Sequence, residues 1–167
     1  LKSESKLPGP ILHGSFTFDI YKGGQHQRGL LRRIATVDFI AGKNDWEHIL
    51  DVDLLAKTED MPYILSDYRP SPFDHDLAFI VLSDGGSDLN EFRLFSVSQK
   101  KFLAFKVPLG KHHFDWSTPD SIFGSFSLPG MPRTESGYPQ DLYEISFDGS
   151  KKHLAPGNPT DALSWTS

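Results

Sequence analysis

The sequence predicts an all-β fold, a series of about three to four antiparallel meanders with one short helical turn. Three observations point that way. Short runs of alternating apolar and polar residues recur from one end to the other. Aromatic residues make up 13% of the 167-residue chain, and fourteen Gly and twelve Pro are spread along its length. Aromatic-rich runs punctuated by turn formers suit sheets better than packed helices. A chain of this size buries roughly 70% of the surface its unfolded form exposes, so one compact unit is expected.

The first strand is Ser15 to Tyr21, where Phe16, Phe18 and Ile20 alternate with Thr17, Asp19 and Tyr21, so that one face packs inward. Gly23 and Gly24 supply a turn, and Arg28 to Ile40 reads as a second β-run through Leu30, Ile34, Val37 and Phe39, broken by Gly42. Trp46 to Leu50 is a further short strand. Asp51-Val-Asp-Leu-Leu-Ala-Lys57 has the acidic start and apolar spacing of one or two helical turns, with Asp51 set to accept from the unpaired amides at the helix start.

Tyr63 to Phe73, rich in Pro and polar residues, reads as a crossing loop, and Asp76 to Ser83 as a buried strand. Asp84-Gly-Gly-Ser-Asp88 is a turn whose glycines accept positive φ at little expense. Glu91 to Val97 returns, and Lys101 to Val107 completes the meander. His113 to Trp116, Ser121 to Phe126 and Leu142 to Phe147 repeat the theme. Residues 1–14 are expected to be an irregular lead-in, 15–150 the folded body and 151–167 a loosely held tail. A meander period of roughly 40 residues is that of propeller blades, although periodicity alone leaves a sandwich or an open barrel as competitors.

Several function classes are excluded. The net charge is −5 and the seventeen Lys and Arg are scattered, which gives no nucleic-acid footprint. No apolar run reaches the ~18 residues of a membrane span. There is no Cys, hence no disulfide framework and no thiolate metal site. The start lacks a signal-peptide pattern and an initiator Met, which reads as a chain beginning inside a longer polypeptide. The only Asn-x-Ser/Thr triplet has Pro159 at its centre and is a poor glycosylation acceptor.

Four segments in order carry a resemblance. They are Asp19-Ile-Tyr through His26-Gln-Arg-Gly-Leu-Leu-Arg-Arg33; Asp45-Trp-Glu-His-Ile-Leu-Asp-Val-Asp-Leu-Leu-Ala-Lys57; Leu82-Ser-Asp-Gly-Gly-Ser-Asp88 leading to Glu91-Phe-Arg-Leu-Phe95; and Thr134-Glu-Ser-Gly-Tyr-Pro139. Together they resemble the N-terminal propeller of S9-type, prolyl-oligopeptidase-like serine peptidases. The resemblance implies a partial β-propeller here, as part of a seven-bladed ring that restricts entry to short peptides. It further implies a partner α/β-hydrolase domain on the same polypeptide, carrying Ser, Asp and His with the nucleophile at a Gly-x-Ser-x-Gly elbow. No such pentapeptide occurs in this chain, so the chain alone is expected to be non-catalytic and to need no cofactor. The bacterial character of the family, with no signal peptide and no Cys, favours the cytoplasm. Tyr63 to Phe73 and Gly110 to His113 match nothing specific in the family.

The candidate contact residues for substrate or for the hydrolase domain are Arg28, Arg32, Arg33, Arg93 and Tyr138. Guanidinium forks pair bidentately with carboxylates, and a Gly-Tyr-Pro turn holds an aromatic ring at a surface. The competing reading for the arginines is ion pairing with Asp and Glu of the same domain. Ser87 and Ser125 lack an elbow context for a nucleophile. His112 and His113 are adjacent on a strand and point to opposite faces, so they would not share one metal ion. Asp51, Asp53, Glu59 and Asp60 lack the ligand order of a calcium loop. No metal site is therefore expected. An incomplete ring leaves sheet edges open, which favours self-association. The alternative is a stand-alone binding module using Trp46, Trp116 or Tyr138 on protein or carbohydrate.

Overall fold

The computed structural model describes residues 8–85, 87–135 and 138–156. Its twelve strands form three four-stranded antiparallel meanders in sequence order. Sheet A comprises β1 (Ile11–His13), β2 (Phe16–Gly23), β3 (His26–Ala35) and β4 (Glu47–Asp51). Sheet B comprises β5 (Ile64–Pro70), β6 (Leu77–Ser83), β7 (Asn90–Ser96) and β8 (Lys101–Gly110). Sheet C comprises β9 (His113–Thr118), β10 (Ser121–Ser125), β11 (Leu142–Ser146) and β12 (Lys151–Ala155). Strand pairing is confined within each sheet, which is the arrangement of propeller blades.

The sheets stack through two cores. Between A and B lie Phe18, Ile20, Leu31, Leu65, Tyr68, Ala78, Ile80, Leu82 and Phe95. Between B and C lie Phe79, Val81, Phe92, Leu94, Phe114, Trp116, Ile122 and Ile145. The period of two in β6 divides Ala78, Ile80 and Leu82 from Phe79 and Val81, so sheet B is buried on both faces. The first strands also meet side by side. His13 Nδ1 accepts from Tyr68 Oη at 2.9 Å, Arg69 Nη1 donates to the Phe114 carbonyl at 2.7 Å, and Trp116 Nε1 donates to the Arg69 carbonyl at 3.2 Å. These bonds tie β1 to β5 and β5 to β9.

Two helices interrupt the meanders. Helix α2 (Val52–Glu59) begins as its sequence predicts, with Asp51 Oδ1 accepting from the amides of Asp53 and Leu54. It ends at Asp60 in the left-handed region, where the Met61 amide returns to the Ala56 carbonyl. Helix α1 (Thr36–Ile40) corrects the expectation of a strand running to Ile40. Ala35 pairs with Phe16 at the end of β2, and the Thr36 amide closes on Ser15. Beyond that point β3 has no partner on the β2 side, so the chain coils. None of its five residues is buried.

Tyr63 to Phe73 also departs from the loop expectation, since Ile64–Pro70 is β5. A register shift between Leu65 and Asp67 breaks the period that would have marked it. Ile11–His13, within the stretch expected to be an irregular lead-in, and Lys151–Ala155, within the tail expected to be loosely held, are edge strands paired to β2 and β11. Leu1 to Leu7, Gly86, Ser136, Gly137 and residues 157–167 lie outside the described residues.

At Gly29 sheet A lies close against sheet B. It sits in β3 at φ +116°, and a Cβ there would lie 2.6 Å from Leu65 Cβ. Gly29→Ala should therefore destabilise the fold by about 2–4 kcal/mol through backbone strain and overpacking together. Urea unfolding followed by tryptophan fluorescence measures this, and an unchanged midpoint would mean that the two sheets do not meet at this glycine.

Candidate functional site

The densest polar cluster lies in the seam between sheets A and B. The register that pairs Ile80 with Arg93 places Arg93 on the face of sheet B that meets sheet A. Arg93 is 6% exposed, and four of the five N–H donors of its guanidinium are used. Nη1 and Nη2 donate to the two oxygens of Glu59 at 2.8 and 2.7 Å, Nε donates to Glu91, and Nη2 also reaches Tyr63 Oη at 2.9 Å. Tyr63 Oη donates to Glu91 Oε1 at 3.2 Å. The rings of Phe102 and Tyr63 flank the guanidinium, 4.9 and 5.3 Å from its carbon.

Arg93 thus joins α2 to β7, satisfying two carboxylates that would otherwise be desolvated alone. Its hydrogen bonds to Glu59 raise the guanidinium above its ordinary range and hold the Glu59 carboxyl below the usual one. Burial pushes the Tyr63 phenol up.

The other candidates are placed as follows. Arg28 donates from Nη1 to the Tyr63 carbonyl at 3.0 Å, while its amide donates to Asp53 Oδ1 at 2.8 Å. It lines two adjoining clefts of about 710 and 530 Å³, the first bounded by Asp51, Lys57 and Asp60, the second by Gln27, Ile64 and Asp84. Arg32 pairs with Asp19 at 2.8 Å and is held between the rings of Tyr21 and Trp46, at 4.7 and 4.3 Å. Arg33 pairs with Glu47 at 2.8 Å over the ring of Phe16. Tyr138 donates to Asp88 Oδ2 at 3.2 Å, and Lys111 sits over its ring. The structure brings Arg28 and Arg93 to the same seam, where both contact Tyr63; Arg32 and Arg33 lie along β3 and Tyr138 in the loop before β11.

Each of the four arginines therefore has a partner within the domain. Trp116 corrects an expectation: at 7% exposure it is a core residue and offers no ring for a binding surface. His112 and His113 do point apart. His112 is buried, donates from Nε2 to the Pro108 carbonyl at 2.7 Å and accepts from the Ser127 amide at 3.3 Å, while His113 faces solvent. Burial lowers the His112 pKa.

The sequence reading missed the Glu59, Tyr63 and Glu91 network. It also missed the convergence of His26 with Asp51 and Asp53, whose ligand atoms lie within 4.8 Å of one another and could hold a cation. Both groupings join residues far apart in sequence. The only local signal was the polar pattern Glu91-Phe92-Arg93, which puts two charges on one face of an otherwise apolar strand.

Three stacked four-stranded meanders define a β-propeller segment. The model of the prolyl oligopeptidase N-terminal β-propeller domain matches residues 1–125, and the chain belongs to that family. It is 31% identical over 141 residues to the uncharacterized peptidase y4nA of Sinorhizobium fredii, covering 83% of this chain and 19% of that one. The post-proline cleaving enzyme from Rickettsia typhi superposes with a TM-score of 0.78 at 23% identity, over 93% of this chain and 24% of that one. Oligopeptidase B from Leishmania major gives 0.64 at 18% identity, over 93% and 21%. The chain spans about a fifth to a quarter of the length of these relatives.

Arg93→Met should destabilise the fold by about 3–5 kcal/mol, because it leaves Glu91 buried without its cation. Glu59→Gln, at the more exposed end of the network, should cost less than about 1 kcal/mol. Urea midpoints of the two variants test the order, and equal effects would place the burden on Glu59.

Acid should weaken the fold in two steps. Burial holds the His13 pKa below its ordinary value, with His75 adding to the effect. The unfolded chain therefore binds the proton more readily, and the stability involved is complete above about pH 6.5 and lost as pH falls below it. Glu59 acts in the same direction at lower pH, below about 4.3. The urea midpoint should fall between pH 7.5 and 5, with a shallower slope in His13→Gln. A midpoint that rises on acidification contradicts this.

Proposed function

We propose that this chain is the non-catalytic propeller portion of a prolyl-oligopeptidase-like serine peptidase, which controls the access of short peptides to a hydrolase domain carried elsewhere on the same polypeptide. The observation that carries the reading is the order of the three blades together with family membership across most of the chain. Stacked blades with filled seams form a wall, and a wall around an opening selects by size. An unfolded or short peptide passes where a folded protein does not.

In this reading the domain contributes selectivity, while acyl transfer belongs to a serine nucleophile at a Gly-x-Ser-x-Gly elbow outside this chain. Arg28, lining both clefts, is the arginine best placed to meet a peptide carboxylate or the hydrolase domain. Arg32, Arg33 and Tyr138 are the residues through which neighbouring parts of the polypeptide would dock. Arg93 serves the seam between blades.

The free face of sheet A supports one corollary. Leu12 is 69% exposed there, and Val37 and Ile40 of α1 are 73% and 78% exposed. Isolated from the rest of the ring, two chains would cover such surfaces by pairing.

The test is a peptidase assay on a proline-containing chromogenic peptide. The isolated chain should give no turnover, and the full polypeptide encoded by the gene should give turnover that ends when its elbow serine is replaced by Ala. Turnover by the isolated chain, surviving removal of contaminants, would overturn the reading, as would a full polypeptide without an elbow. Light scattering should show the isolated chain dimerising with rising concentration, and a monomer throughout removes the corollary alone.

A further inference from the structure

At the start of α2 three side chains from separate elements converge. His26 opens β3, Asp51 closes β4 and Asp53 lies in the first turn of α2. One ligand atom of each lies within 4.8 Å of the other two. The carboxylates are held by main-chain donors: Asp51 Oδ1 accepts from Asp53 and Leu54, and Asp53 Oδ1 accepts from Arg28. All three bonds use Oδ1, which leaves Oδ2 of each side chain for another partner.

The imidazole provides the independent observation. His26 Nδ1 is shielded from solvent and has no hydrogen-bond partner among the described residues. It stands 3.6 Å from Asp51 Oδ1, too far for a hydrogen bond. Buried nitrogens without a partner are rare and call for an explanation. A cation held among this nitrogen and the two carboxylates would give it a partner. The ring is kept in place by edge contacts to Tyr21 and His48, at centroid distances of 6.4 and 6.0 Å.

Opposing charges are present and do not cancel the pair. The Arg28 guanidinium is directed to the Tyr63 carbonyl, and Lys57 lines the cleft. The N-terminus of α2 contributes roughly half a positive charge, against two full negative charges.

We propose that His26, Asp51 and Asp53 form a binding site for a divalent first-row transition metal ion of the zinc type. One imidazole with two carboxylates suits such an ion, whereas calcium and magnesium take oxygen ligands only. Ligands of a tetrahedral zinc lie about 3.4 Å apart, given bonds of about 2.1 Å. Small side-chain rotations therefore close the set. Positions left open face the cleft of about 710 Å³ lined by Asp51 and Asp53. The ion adds a tie between the β2–β3 hairpin and the start of α2, beside the pairing of Leu30 with Asp51.

Calorimetric titration of Zn²⁺ into the chelator-stripped 167-residue chain at neutral pH tests the site. One ion per chain is expected, and Co²⁺ bound in its place should show the visible absorption of an N/O-ligated ion. His26→Gln and Asp53→Asn should each weaken binding at least about tenfold, while His75→Gln leaves it unchanged. Asp53→Asn keeps an oxygen acceptor for the Arg28 amide, so it decides the matter if His26→Gln fails to fold by circular dichroism. No saturation up to about 1 mM Zn²⁺, a mere few kcal/mol of affinity, would overturn the proposal. Wild-type affinity in either variant, or displacement of Zn²⁺ by excess Ca²⁺, would do the same.

Discussion

Sheet B is apolar on both faces, and the remainder of the architecture follows from having to cover it twice. Ala78, Ile80 and Leu82 need one neighbour, and Phe79 and Val81 need another. A single sheet packed on one side would leave a row of these side chains in water, each worth about 1.5–3 kcal/mol when fully buried. Sheet A supplies Phe18, Ile20 and Leu31 on the first side, and sheet C supplies Phe114, Trp116 and Ile122 on the second. The aromatic stacking is dense, with Phe92 and Phe114 face to face at 3.7 Å and Phe79 in edge contact with Phe92 and Phe114.

The charged groups that enter the seam between sheets A and B are paired there. Arg93 and Glu91 occupy positions on β7 that the period of two assigns to the core, and they are tolerated because Glu59 and Tyr63 complete their bonding. Their position explains why α2 exists at this point of the chain. The helix carries Glu59 from the far edge of sheet A to the face of sheet B, and Val52 and Ala56 bury its inner side.

Much of the fold was legible because alternation beside turn residues marks β2 and β7, and an unbroken apolar run marks β6. Asp51 announced α2 through its capping carboxylate. What stayed hidden was structure made by pairing: β1 and β12 are edge strands whose exposed residues carry no hydrophobic period, and the bulge at Leu65 and Asp67 disguised β5. Helix α1 was read as strand because Ile34, Val37 and Phe39 are β-formers, yet only Ile34 finds a partner strand. Arg32, Arg33 and Arg93 form ion pairs within the domain, the competing reading that the sequence offered. Their partners could not be found, since Glu59 is 34 positions from Arg93 and only the stacking of blades joins them.

The sheets share no main-chain ladder, and so the molecule is divided by two joints of different material. The joint between A and B is latched by charge, through Arg93 and Glu59 in addition to its apolar contacts. The joint between B and C is a dry aromatic laminate, pinned at its inner end by Arg69 and Trp116. Acid reaches both joints, through Glu59 and His13 at the first and the buried His112 at the second, and cooling weakens the hydrophobic packing of both. A ring assembled from such pieces is closed by unlike joints, and acid finds a group to protonate in each.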